Sequence, residues 1–92
     1  MENAVFYRSV KMAIDMLTPA DMGALVRTTR KAQGLRQDEL AGAAGVGLRF
    51  IVDLEAGKPT VQLGKALLVL QALGCTLDVR APAGAVPRKS KP

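Results

Sequence analysis

Along residues 18–74 apolar side chains recur every three or four positions, and the recurrence breaks at Gly34, at Gly45 to Gly47, at Gly57 to Pro59 and at Gly74. That is the period of amphipathic helices separated by stops, and it predicts four of them. The first starts sharply: Thr18 can cap, Pro19 suits the first helical position, and Asp21 lies where it can complete a capping-box-like exchange with Thr18. It runs to about Gln33, with Met22, Leu25, Val26 and Thr29 on one face, Lys31 in the last turn and Gly34 as a left-handed stop. A second helix, from Gln37 to Ala44, carries Asp38 and Glu39 in its first turn, where the helix dipole favours them, and turns Leu40, Ala41 and Ala44 inward. The third spans about Leu48 to Ala56 and buries Leu54 with either Phe50 or Ile51. The fourth, from about Gln62 to Leu73, places Leu63, Ala66, Leu67, Leu70 and Leu73 at helical spacing.

The flanks follow other patterns. Beyond Gly74 the period falls to two, with Thr76, Asp78 and Arg80 alternating with Leu77 and Val79, which predicts one strand. A lone strand in a helical chain leaves a row of backbone donors and acceptors unpaired, and its simplest partner is its own copy in a second subunit. A homodimer is therefore expected. Residues 1–17 form an N-terminal extension that places Phe6, Val10, Ala13, Ile14 and Leu17 on one helical stripe, although Ala4 to Tyr7 could equally be a strand. The chain thus divides into the extension at 1–17, a helical domain at 18–74, a dimerisation strand at 75–81 and a flexible basic tail at 82–92 rich in Pro, Ala, Gly and Lys/Arg.

Composition narrows the function. Ninety-two residues fit one domain with a modest core, and with no Trp, one Tyr and two Phe the apolar content is mostly Ala, Leu, Val and Gly, which suits closely packed helices. No apolar run is long enough to span a membrane, and acidic Glu2 with no cationic stretch ahead of an apolar run argues against an export signal, so a cytoplasmic protein is expected. With no His and a single Cys75 there is neither a Cys/His nucleophile pair nor an imidazole-based metal site, and Cys75 reads as a small buried hydrophobe. There is also no Gly-rich phosphate loop; no catalytic residue, metal or cofactor is expected, and an enzyme is the least favoured class. The net charge of +5 draws three of its units from Arg88, Lys89 and Lys91 in the tail, so charge alone says little about nucleic acid.

The informative stretch is residues 37–56, QDELAGAAGVGLRFIVDLEA. Two short helices crossing through a tight turn ask for a small residue where the second passes over the first, a residue that tolerates positive φ at the turn, and an apolar plug beneath both. Ala41, Gly45 and Val46 meet those requirements, and Leu40, Ala44, Ile51 and Leu54 fill the wedge. An ordinary helical hairpin would not call for all three at these separations.

This stretch resembles the helix-turn-helix of the lambda-repressor and Cro class, the Xre type, over about residues 21–80, with supporting text in GLRQDELA, in DLEAGKPTV and in a fourth helix ending ALG before a short strand. DLEAGKPT followed by that strand is similar, more narrowly, to HipB-like antitoxins. The resemblance implies an all-α, lambda-repressor-like bundle of four to five helices with a short C-terminal β-strand pairing across a dimer. It also implies a repressor that binds a palindromic double-stranded DNA operator, regulates its own operon and partners a HipA-like serine/threonine kinase toxin. A stand-alone regulator and an interaction module that has lost DNA binding are the other readings.

Carried over residue by residue, the resemblance makes Gln37 a phosphate ligand at a helix start and gives Leu48, Arg49, Val52 and Asp53 to the groove-facing side of the recognition helix. Arg49 is the best base reader, because its fork can take guanine O6 and N7 together, and Asp53 could accept from cytosine. Lys58 and Thr60 are candidate phosphate contacts, Thr60 alternatively capping the fourth helix, and Arg30 and Glu55 match a buried ion pair. The chain departs from the pattern at Arg36 and Gly47, where Thr or Ser usually caps, and at Leu48 and Val52, where hydrogen-bonding side chains are common. Arg36 could add a phosphate contact; the apolar pair leaves thymine methyls and DNA shape to supplement Arg49.

Overall fold

Thr18 starts the first helix: its hydroxyl oxygen accepts from the Asp21 N–H at 3.1 Å, and Asp21 Oδ2 accepts from the Thr18 N–H at 3.0 Å. That reciprocal exchange satisfies two donors at the helix start, with Pro19 in the first position where no donor is missed. In this computed structural model, which describes residues 17–84, four helices follow: α1 (Pro19–Ala32), α2 (Gln37–Ala44), α3 (Leu48–Glu55) and α4 (Leu63–Ala72). All four end alike. Just past each helix the N–H of the residue that follows a glycine donates to a carbonyl five residues back: Leu35 to Arg30, Val46 to Ala41, Lys58 to Asp53 and Cys75 to Leu70. This satisfies carbonyls that the helix leaves orphaned and turns the chain sharply.

The core is built from Val26, Leu40, Ala41, Ile51, Leu54, Ala66, Val69, Leu70 and Leu73. Helix α2 packs against α3 and α4, and α1 packs against α3, so the α2–α3 pair is flanked on both sides. Fully burying side chains such as Leu40 and Ile51 stabilises the fold by about 1.5–3 kcal/mol each. Phe50 and Cys75 are half-buried against the same core, so the third helix turns Ile51 fully inward and Phe50 partly.

Two faces keep most of their expected members, Met22 and Val26 on α1 and Ala66, Leu67, Leu70 and Leu73 on α4, and differ in the rest. On α1 the buried positions are Gly23, Val26 and Arg30, while Leu25 is exposed. A hydrophobicity pattern marks only part of this face, through Met22 and Val26, because two of its three buried members are a glycine and a charge. On α4 Leu63 is 69 % exposed and Val69 is fully buried; with apolar residues at 66–70 two overlapping stripes exist, and packing against α2 selects the one through Ala66, Val69, Leu70 and Leu73.

Residues 76–80 form no strand among the described residues, and Leu77 and Val79 are exposed. A strand exists only as part of a hydrogen-bonded ladder, and the described residues supply no second strand. The expected helix or strand at 1–17, apart from exposed Leu17, and the tail beyond residue 84 fall outside the described residues.

Helix α1 approaches the end of α3 unusually closely. A Cβ on Gly23 would stand 2.5 Å from the Leu54 carbonyl oxygen and 2.8 Å from that of Glu55, both backbone atoms that cannot turn aside. This approach brings Arg30 onto Glu55: Nε donates to Oε2 at 2.6 Å and a terminal nitrogen donates to Oε1 at 2.9 Å, while the other terminal nitrogen reaches the Leu35 carbonyl at 2.8 Å. Both side chains are more than nine-tenths buried. Burial pushes the Glu55 carboxyl up, but the hydrogen bonds from Arg30 and Gln37 and the charges of Arg30 and Arg27 together outweigh it and hold the group below its ordinary value. Gln33, at the end of α1, donates to the Leu73 carbonyl at 2.8 Å and so joins α1 to the end of α4.

Gly23→Ala should force α1 off α3 and cost about 2–3 kcal/mol, read as a thermal midpoint lower by roughly 10 °C. Gly42→Ala, on an exposed α2 position with nothing within 4 Å of the new Cβ, should instead raise the midpoint by a few degrees. Since the folded-state pKa of Glu55 is depressed, its contribution is present above the unfolded value near pH 4.3 and is lost as pH falls through the folded value. Glu55→Gln should therefore cost about 3 kcal/mol at neutral pH and flatten the decline in stability between about pH 5 and 3, measured by denaturant titration across that range.

Candidate nucleic-acid interface

A three-residue turn sets the site. Gly45 takes φ 73° and ψ 32°, a left-handed conformation that side chains resist, and Gly47 returns to extended backbone before α3 begins. Val46, half-buried against the core, and Ala41, only 5 % exposed, lie where the chain reverses. The turn places Ile51 and Leu54 inward, which leaves Leu48, Arg49, Val52 and Asp53 on the other side of α3. Leu48 is exposed, the Arg49 side chain is 84 % exposed, and Val52 and Asp53 are partly covered. Two apolar side chains and one extended cation thus stand on a rigid helix anchored from behind.

The start of α2 is occupied by local pairs. Glu39 Oε1 accepts from the Arg36 N–H at 2.8 Å, a half capping box that serves where no hydroxyl cap exists. The Arg36 guanidinium lies 3.0 Å from Asp38 and 3.5 Å from Glu39. The hydrogen bond to Asp38, then the charges of Asp38 and Glu39, raise the Arg36 pKa, and the same bond is the main cause of the lowered Asp38 value. The exposed Arg36 guanidinium is thus shared between two local carboxylates. Gln37 is half-buried, and its side-chain amide donates to Glu55 Oε1 at 3.1 Å. Its side chain thus joins α2 to the Arg30–Glu55 pair.

At the far end of α3, Asp53 lies between two cations, with Arg49 Nε 3.2 Å from Oδ1 and Lys58 Nζ 3.6 Å from Oδ2. Lys58 and Thr60 are exposed in the loop after α3. The cap of α4 is Gln62, with no side-chain hydrogen bond, so Thr60 does not cap that helix. In the segment after α4 Asp78 and Arg80 pair at 3.2 Å, leaving Leu77 and Val79 as its apolar side chains.

Two contributors went unread in the sequence. Gly23 sets the α1–α3 distance, yet a glycine inside a helix gives no signal of what it touches. Arg27, one turn before Arg30 on α1, lines a shallow groove with Gln37, Val52 and Ala56 beside the exposed face of α3. Its spacing from Arg30 was the available clue. Among the described residues no group of His, Cys, Asp and Glu could hold a metal ion, and no helix is long and apolar enough to cross a membrane.

Comparison with known proteins agrees with this geometry. A family model described as helix-turn-helix matches residues 26–79. An uncharacterized HTH-type transcriptional regulator, y4mF, of Sinorhizobium fredii (strain NBRC 101917 / NGR234) is 73 % identical over 71 residues, covering 77 % of this chain and 93 % of the relative. Among solved structures, a HipB-O4 20mer complex and a HipA-HipB-O2-O3 complex each superpose with a TM-score of 0.67 at 20 % identity, covering 74 % of this chain and 96 % of theirs. At that identity the likeness shows a shared fold. With a family match over more than half its length and a relative this similar, the chain belongs to the Xre-type helix-turn-helix family.

Proposed function

We propose that the protein is a transcriptional repressor that binds a palindromic operator as a homodimer, lays α3 in the major groove, and serves as antitoxin to a HipA-like serine/threonine kinase within an operon it regulates itself. The observation that carries the DNA-binding part is the outward face of α3: Leu48, Arg49 and Val52 project from a helix whose opposite side is locked into the core by Ile51 and Leu54. A rigid, exposed helix of eight residues suits groove readout, with Arg49 forking onto a guanine and Leu48 and Val52 against thymine methyls. The first backbone N–H groups of α2 at Gln37, together with Lys58, Thr60 and Arg36, address phosphates and fix the register. Such a protein works in the cytoplasm, and its task requires no catalytic group.

The toxin partnership draws support from the HipA-HipB-O2-O3 complex, which has this fold. The relative in Sinorhizobium fredii favours a second reading, a stand-alone regulator, since its name refers to transcription alone. Co-purification with a HipA-like kinase encoded beside this chain separates the two.

For the dimer we propose that residues 76–80 pair with their own copy, covering Leu77 and Val79, which are 48 % and 80 % exposed in the single chain.

Binding to the protein's own promoter is the deciding experiment. Arg49→Ala should lose about 1–3 kcal/mol of discrimination at one base pair of each half-site, measured on a panel of substituted duplexes. Lys58→Ala should weaken all duplexes alike and reduce the salt slope of log K by about one. An affinity independent of salt would refute phosphate contact altogether. Deleting residues from Thr76 onward should shift the mass in solution from dimer towards monomer, and an unchanged dimer would refute the shared strand.

A further inference from the structure

Asp53 stands on the exposed face of α3, where a side chain could read a base, yet both of its carboxylate oxygens face cations. Oδ1 lies 3.2 Å from Arg49 Nε, one helical turn earlier, and Oδ2 lies 3.6 Å from Lys58 Nζ in the loop just past the helix. Its side chain is only 22 % exposed, against 84 % for Arg49. From this arrangement we infer that Asp53 is a positioning residue for Arg49: it holds the guanidinium for a single guanine and does not itself read cytosine. The inference rests on α3 entering a major groove, as proposed above.

The chemistry of the two groups supports the division. An arginine has five N–H donors, and one approached through its inner nitrogen retains two terminal nitrogens for a second planar partner, the pattern that guanine N7 and O6 present. A long, exposed arginine samples many rotamers, and fixing one on binding costs entropy; a carboxylate one turn away that already holds the inner nitrogen reduces that cost. Conversely, a carboxylate pressed against a base edge would bring its negative charge into the field of the phosphates and leave Arg49 and Lys58 without their shared partner. Placed between the two cations, it avoids that penalty. Leu48 and Val52 offer no hydrogen bonds, so hydrogen-bonded discrimination on this face falls to Arg49 alone, and any loosening of Arg49 appears at one base pair.

An ion pair four residues apart on a helix, with its cation largely in solvent, adds little to folding stability. The consequence of removing it is therefore a change in specificity with an almost unchanged melting curve.

The test uses the full chain with Asp53→Asn, Arg49→Ala and the double variant, measured on the preferred duplex and on duplexes substituted at each position in turn. Asp53→Asn should reduce discrimination about three- to tenfold at the pair that Arg49→Ala identifies, and nowhere else. Its affinity for unrelated duplex should hold or rise, because one negative charge leaves the phosphate field. In the double variant no loss should appear beyond that of Arg49→Ala, since the two act through one contact. A loss at a different base pair would make Asp53 a base reader and overturn the inference, as would strict additivity with Arg49→Ala or full discrimination in Asp53→Asn. Wild-type protein that shows no preference among duplexes would overturn the proposed function and this inference with it, and that result is visible before any substitution is made.

Discussion

The guanidinium of Arg30 is where three separate stretches of chain are made to agree. It grips Glu55 with two hydrogen bonds and the Leu35 carbonyl with a third, while Glu55 also accepts from Gln37. The end of α1, the loop after it, the start of α2 and the end of α3 therefore meet at one buried ion pair. Neither charge tolerates the loss of the other in so dry a place, so the unit behaves as all or nothing. It forms only because Gly23 lets the α1 backbone come within contact of the Leu54 and Glu55 carbonyls, so a missing side chain and a buried ion pair are two parts of one constraint.

That constraint bears on what the outer face of α3 can do. The helix is eight residues long and carries no side-chain cap at Gly47, so alone it would fray. Ile51 and Leu54 hold its middle through apolar burial, and Glu55 pins its last turn through directional bonds. A helix fixed at its centre and end presents Arg49 and Val52 at a reproducible height and angle, which a reading surface requires more than it requires any particular side chain.

The four helices and their stops were legible in the sequence, because capping residues, left-handed glycines and helical periodicity are local signals that the fold does not override. Thr18 with Asp21, and Gly45 with Val46, behave as their local chemistry dictates. Which face turns inward was less legible. On α1 the inward face includes Gly23 and Arg30, neither of which looks apolar, and on α4 the run of apolar residues from 66 to 70 concealed that Val69 is buried and Leu63 is not. Contact geometry decides these, and contact geometry is not local. The Gln37 side chain belongs to the same class: a helix start suggests an anion, but the nearby Glu55 carboxylate, eighteen residues on, claims the amide.

The segment after α4 carries this reasoning beyond the single chain. Cys75 still closes α4 by donating to Leu70, so order continues to the edge of the domain and the direction in which the chain leaves is fixed. Past that point Leu77 and Val79 alternate with Thr76, Asp78 and Arg80, and no neighbouring strand among the described residues takes up their backbone donors. A pattern with period two carries information only when something defines two sides. Among the described residues nothing does, so the alternation stays structurally silent there. A second copy would define both sides at once, by pairing the backbone groups and covering the two apolar side chains. It would also set the distance between the two α3 helices. On the proposed function that distance is the half-site spacing, so the residues that make the dimer would fix which operators it can span even though they touch no base.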